Sequence, residues 1–216
     1  MPLNPFKKVK RETIRLKLRN GIWLPLTCNM RAKMLKVDRF TIISNNCWGG
    51  TVYESYGLRK ESPTIGMFIM PSDFVLFCSD LDRYLSEPLE FISPAESKWK
   101  SDLCGKSNWG SYLVGRVGDV ELHMLHHHNE EIARRKWESR VERVNRDRLI
   151  FKLNDQNGAT EEDLLAFAAK EHPDVKCCRR IHCPHGCEFI PASWEPFGAN
   201  RSFNVTKYIN DCFGGR

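Results

Sequence analysis

Long apolar runs are the first thing missing from this 216-residue chain. The longest, such as IGMFIM at 65–70, fall far short of the roughly 20 residues that a membrane-spanning helix needs, so no span is expected. The opening stretch MPLNPFKKVKRETIRLKLRN carries charges with no apolar segment behind them. No secretory signal is read there, and a cytoplasmic location is expected. Nine cysteines without such a signal are expected to be thiols rather than a disulfide framework. Low-complexity tracts and repeats at solenoid periods are also absent, which excludes repeat architectures.

Acidic residues are scarce at one end. Residues 1–39 hold eleven Lys and Arg against Glu12 and Asp38 alone, within a net charge of +6. That imbalance suits nucleic acid, an anionic membrane surface or a phosphorylated substrate. The basic residues are not interleaved with aromatics and form no nucleic-acid-binding motif, so nucleic acid is not expected as a partner. Peripheral contact with the anionic inner face of a membrane is expected instead.

What is present is enough for a core: 41% hydrophobic and 11% aromatic residues. The reading is a basic helical extension over 1–37, with Asn20-Gly21 stopping a helix from Glu12, followed by one α/β domain over 38–216. The segment Arg39–Ser44 is β-branched and apolar, runs into SNNCWGG, and continues as a helix from Thr51 to Leu58. Thr64–Met70 is a second apolar strand. Pro71 opens a helix through Leu85, capped by Ser72 or Asp73, with Phe74, Phe77, Leu81 and Leu85 on one stripe. Residues 93–111 read as a long loop. In VGDVELHM, Val120, Leu122 and Met124 face one way and Asp119, Glu121 and His123 the other. Asn129 caps a charged helix to Asn145 with Ala133, Trp137, Val141 and Val144 inward. Arg148–Leu153 is a strand, Thr160 and Asp163 form a capping box, and Val175–Cys178 and Cys187–Ile190 complete the alternation. Strands alternating with helices predict a three-layer domain, with a mainly parallel or mixed sheet covered by helices on both faces. Ligands in such sheets bind outside the carboxyl ends of the strands, where SNNCWGG, the 154–158 turn and the 93–111 loop are expected to gather.

The blocks TIISNNCWGG, SPTIGMFIMPSDF, YLVGRVGDVELHMLHH and KWESRVERVNRDRLIFKLNDQNGATEEDL occur in one order over residues 38–180. In that combination the chain resembles a domain-of-unknown-function family found among bacterial exopolysaccharide and capsular polysaccharide biosynthesis proteins. The resemblance implies a cytoplasmic α/β protein encoded among surface-polysaccharide enzymes, and it implies no particular reaction. The basic N-terminus and the Cys/His-rich stretch at 177–187 depart from the family pattern.

Two candidate sites follow from the residues. Cys47, between strand and helix, lies near helix N-terminal N–H groups that stabilise a thiolate or bind an oxyanion. Gly49 and Gly50 let backbone approach a ligand, so Asn45, Asn46, Trp48, Gly49 and Gly50 are read as a substrate-binding turn. A base for Cys47 is sought among His123, His126, His127 and His128. The alternative is that Cys47 and Trp48 pack and the asparagines only form the turn. The second candidate is the polar face Asp119, Glu121 and His123, as acid–base groups or as holders of a divalent metal that neutralises a diphosphate. Arg116 and Asp155 are read as substrate contacts; Arg116 alternatively pairs with those carboxylates. Cys177, Cys178, His182, Cys183, His185 and Cys187 offer soft zinc ligands without paired C-x-x-C knuckles. The expected function is a transferase moving a glycosyl or acyl group on a sugar-nucleotide-derived or lipid-linked saccharide, with a sugar nucleotide or acyl-CoA as donor. A Cys/His hydrolase and a non-catalytic nucleotide- or glycan-binding module are the alternatives.

Overall fold

The computed structural model describes residues 18–169, 175–178, 188–189 and 204–214. A π-helical turn at Arg19–Trp23 leads into α1 (Leu24–Lys33), so Asn20-Gly21 does not stop the helix. The chain then forms β1 (Thr41–Ser44) and α2 (Trp48–Tyr56). Two helices follow, α3 (Pro71–Ser79) and α4 (Leu81–Ser86). Sequence periodicity reads them as one, but Asp80 at φ −146°, ψ 63° breaks the helix between them. Pro71, rather than Ser72 or Asp73, marks the start of α3: its fixed φ suits the first helical position, and Asp73 is engaged elsewhere. The expected loop at 93–111 includes a 3₁₀ turn and a short α5 (Lys100–Leu103), and is preceded by β2 (Glu90–Ile92). Then come β3 (Leu113–Val117), β4 (Val120–Met124), α6 (Glu130–Val141), β5 (Leu149–Asn154) and α7 (Glu161–Ala168). The chain ends in β6 (Val175–Cys178), β7 (Glu188–Phe189) and α8 (Val205–Phe213).

The architecture is α/β, with two sheets among the described residues. Strands β1, β5, β6 and β7 pair in that order, all parallel. Strands β2, β3 and β4 form a separate antiparallel sheet. Alternation along β1 and β5 assigns the layers. Ile42 pairs with Ile150 and both face Trp48, Val52 and Tyr53 of α2 and Ile209 and Phe213 of α8. Ile43 pairs with Phe151, and these pack with Phe74 and Phe77 of α3, Trp137 of α6 and Phe167 of α7. Each such large side chain contributes about 1.5–3 kcal/mol on burial.

Asn129 caps α6 through Ile132 N–H, as read from sequence, and Ala133 and Trp137 are its buried apolar residues. Thr160 and Asp163 form the expected reciprocal capping box. The segment read as a strand at 64–70 makes an isolated antiparallel bridge, Phe68 with His123, through two backbone bonds of 2.9 Å. Ile69 N–H also donates to the Asn45 carbonyl at 3.1 Å. These bonds stitch the antiparallel sheet to the carboxyl end of β1.

Candidate active site

The chain leaves β1 at Ser44 and enters α2 within four residues, and side chains of the turn hold that path. Asn45 is buried; its Nδ2 donates to the Asn154 carbonyl at 2.8 Å and its Oδ1 accepts from Asn154 N–H at 2.7 Å. The side chain thus prolongs the β1–β5 ladder by imitating a peptide. Asn46 Oδ1, one residue before the N-cap of α2, accepts from Trp48 N–H at 3.1 Å and closes the turn into the helix. Trp48 is buried, and the Lys152 ammonium lies 5.7 Å from its ring centroid. Gly49 and Gly50 lie inside the first turn of α2 rather than in a turn before it. A Cβ on Gly49 would meet Ile42 at 3.1 Å, and one on Gly50 would meet Ile65 at 3.0 Å. Gly49 thus permits close approach of α2 to β1, and Gly50 close approach of α2 to the turn at 63–66, while Gly50 also lines the cavity beside Cys47.

That packing sets Cys47 at the N-cap of α2, half-buried. Its Sγ lies 3.7 Å from Nε2 of His126, which follows β4. His126 is placed by its own backbone, whose N–H donates to the Gly66 carbonyl at 3.1 Å. Gly66 sits at φ +86°, a conformation that calls for glycine, and a Cβ there would press on His127 Nε2 at 3.0 Å. The thiol is not a resting thiolate. Burial, reinforced by the charge of Glu54, raises its pKa above 9.0. Attack through sulfur therefore needs the proton removed as the reaction proceeds, and His126 is within reach to take it.

Cys47 and His126 line a cavity of about 240 Å³ with Glu54, Lys60, His127, Lys136 and Arg140 among the walls. His127 is 6% exposed and its Nδ1 is buried without a hydrogen-bond partner. Burial lowers the His127 pKa, opposed by a bond to the Ile65 backbone. Sequence reasoning missed Gly66 and the basic residues Lys136, Arg140 and Arg143. The signal was there: these recur at three- and four-residue spacing, and none has a carboxylate four residues before it.

The second candidate face lies elsewhere. Asp119, Glu121 and His123 are not among the residues lining the Cys47 cavity. Asp119 sits exposed at the β3–β4 turn, where the Tyr84 hydroxyl donates to it at 2.8 Å and lowers its pKa. Glu121 is buried and accepts from Ser97 Oγ at 2.5 Å and Lys98 N–H at 2.9 Å. Its own N–H donates to Asp73, which also accepts from Trp99 Nε1 and pairs with Lys98 at 2.6 Å. These carboxylates close a structural network that anchors the 97–99 segment. Arg116 pairs with Glu90 at 2.7 Å across β2 and β3. Asp155 is half-buried just beyond β5. The loop at 93–111 does reach the 154–158 turn, through Lys106 Nζ and Asn157 Oδ1 at 2.7 Å. Among the described residues no group of three or more His, Cys, Asp or Glu is arranged to hold a metal ion. Of the Cys/His stretch at 177–187, only residues 177 and 178 fall within the described residues.

His123 is fully buried, stacked on Phe68 at 4.5 Å between centroids, with neither ring nitrogen hydrogen-bonded. Burial, with smaller contributions from Lys106 and Lys98, pushes its pKa down from 6.5 to about 3. The unfolded chain therefore takes up this proton first as pH falls. Stability is full above about pH 6.5 and declines toward pH 3, by at most about 1.4 kcal/mol per pH unit. A His123→Phe variant is expected to flatten the slope of melting temperature against pH in that window. An unchanged slope would show that His123 does not titrate there.

Fold and geometry thus define an α/β protein with a cysteine–histidine pair beside the carboxyl end of a parallel sheet. The chain belongs to the family described as a domain of unknown function (DUF1919), whose model matches residues 25–177 and so takes in Cys47, His126 and α6. An uncharacterized protein of Haemophilus influenzae is 29% identical over 165 residues, which is 76% of this chain and 70% of that relative. Neither match carries a link to polysaccharide assembly.

Proposed function

We propose that the protein is a transferase in which Cys47 carries the transferred group and His126 moves its proton. The observation that supports this is the 3.7 Å approach of Cys47 Sγ to His126 Nε2 inside a cavity with cationic walls. For acyl transfer, His126 takes the thiol proton as sulfur attacks the carbonyl of a thioester donor. The departing thiolate takes that proton back, leaving an acyl-Cys47 thioester. An acceptor hydroxyl then attacks the thioester, giving its proton through His126 to the released Cys47 sulfur. A saccharide acceptor and a place in surface-polysaccharide assembly are the reading carried by the family resemblance. Incubation with acetyl-coenzyme A, followed by peptide mass spectrometry, tests it: a His126-dependent adduct on Cys47 is expected. An adduct spread over all exposed cysteines, or none on Cys47, would sink covalent transfer. The raised pKa of Cys47 favours a second reading, a binding site without turnover, which the same experiment separates.

Membrane contact is part of the proposal. Ile22, Trp23, Leu26, Met30 and Met34 are exposed on the outer side of the N-terminal helical segment, with Leu26 at 71%. Leu26, Met30 and Met34 share one arc at about 100° per residue, and the basic residues that would meet an anionic surface flank it, Arg19 before and Arg31 and Lys33 in the last turn. No helix among the described residues is long and apolar enough to cross a membrane. The protein is expected to sediment with phosphatidylglycerol vesicles and not with neutral ones. Trp23→Ser with Leu26→Ser should release it; unchanged sedimentation would remove this face from the account.

A further inference from the structure

The Cys47 cavity shares Lys60, Lys136 and Arg140 with a wider recess of about 620 Å³. Six residues lining that recess are cations: Arg59, Lys60, Arg135, Lys136, Arg140 and Arg143. Among the described residues only two carboxylates come within ion-pairing distance of them, Glu54 at 2.6 Å from Lys60 and Glu131 at 3.9 Å from Arg135. The other bonds go to neutral groups. Arg140 donates to the Ile65 carbonyl at 2.9 Å, and Arg143 to the Lys60 carbonyl at 3.3 and 3.2 Å.

Arg140 is the telling member, being 9% exposed and without a carboxylate partner. A buried cation lacking its counter-charge is costly, and like charges spaced three or four residues apart on a helix repel. Lys136 and Arg140 have that spacing on α6, and Arg143 stands beside them in the turn that follows. An anion in the recess would relieve both penalties at once.

The chemistry narrows the anion. Six cations against two carboxylates leave an excess that a single carboxylate would not balance. Arginine forks match the oxygens of phosphate, and the recess has the volume of a small-molecule site. Its lining contains no aromatic residue on which unpaired bases could stack, which disfavours a nucleic-acid strand.

We propose that this recess binds the diphosphate of a donor molecule, with Lys136 and Arg140 bringing its phosphates to the edge of the cavity that holds Cys47 and His126. The word donor rests on the transferase reading above; the anion site rests on the cations alone. Soluble nucleotides, coenzyme A and lipid-linked carriers share this diphosphate chemistry.

Titration calorimetry of the full chain with pyrophosphate, UDP, ADP and coenzyme A tests it, alongside sedimentation with neutral vesicles containing a polyprenyl diphosphate. Binding that weakens with salt is expected, and Lys136→Gln should weaken it at least about tenfold. Lys136 is exposed, so that variant does not depend on the fold tolerating loss of Arg140. Lys100→Gln, exposed and outside the recess, should leave affinity unchanged. Preference for a free nucleotide assigns a soluble donor, and binding only to the loaded vesicles assigns a lipid-linked one. No binding at millimolar concentration, equal weakening by Lys100→Gln, or tighter binding of a 20-nucleotide RNA would overturn the proposal. If diphosphates bind while Cys47 gains no adduct, the recess stands and the transferase reading falls. A Cys47 adduct without diphosphate binding gives the reverse.

Discussion

A His126→Gln variant is expected to lower transfer through Cys47 by about 10²–10⁴-fold, the usual contribution of a positioned acid–base group. Cys47→Ala should abolish the adduct altogether. The size of the effect follows from the state of the thiol. Burial and the charge of Glu54 hold Cys47 protonated at neutral pH, so its position at a helix N-terminus does not by itself make it a nucleophile. In the free protein, Cys47 should therefore react with iodoacetamide more slowly at pH 7 than exposed Cys104, and its rate should rise only at high pH. Glu54→Gln should speed it by removing a negative neighbour. If Cys47 instead titrated below its ordinary range, or if His126→Gln left transfer intact, the proton-moving role of His126 would be lost.

An Asn45→Ala variant is expected to destabilise the protein by about 2–5 kcal/mol. Two hydrogen bonds would vanish, and the N–H and carbonyl of Asn154 would lose their Asn45 partners beside the sheet. Chemical denaturation measures this directly. A change under about 1 kcal/mol would mean that the turn tolerates loss of its staple. This result bears on function as well. Asn45 holds the carboxyl ends of β1 and β5 at one level, and Cys47 is two residues away. Transfer should fall with stability, while Cys47 reactivity in the remaining folded fraction should shift little.

Strands β1, β4 and β5 were legible because their apolar residues alternate or run together, and α6 because Asn129 and its apolar stripe agree. The break at Asp80 was not legible, since the stripe Phe74, Phe77, Leu81 and Leu85 remains buried across it. The β2–β3–β4 sheet was half visible: β4 alternates strongly, but Gly115 and Arg116 blur β3. The cysteine of the site could be named from its turn. Its partner could not be chosen among four histidines, because the choice depends on where the 64–70 segment docks. Glu121 and His123 read as a polar face fit for acid–base or metal work, and only packing from Ser97, Lys98, Trp109 and Tyr112 shows that both are enclosed. Arg140 is a further case. On a charged helix it reads as solvated, yet it is turned inward.

The stitch made by Phe68 and Ile69 has a consequence for the reacting pair. Cys47 extends from the parallel sheet and His126 from the antiparallel one, and the isolated bridge between Phe68 and His123 lies at their junction. The sulfur-to-nitrogen distance is thus a gauge of how the two sheets dock. Ile43, Phe151 and Leu153 share one core with Val117, Leu122 and Met124, so the packing between the sheets also sets the spacing of the reacting pair.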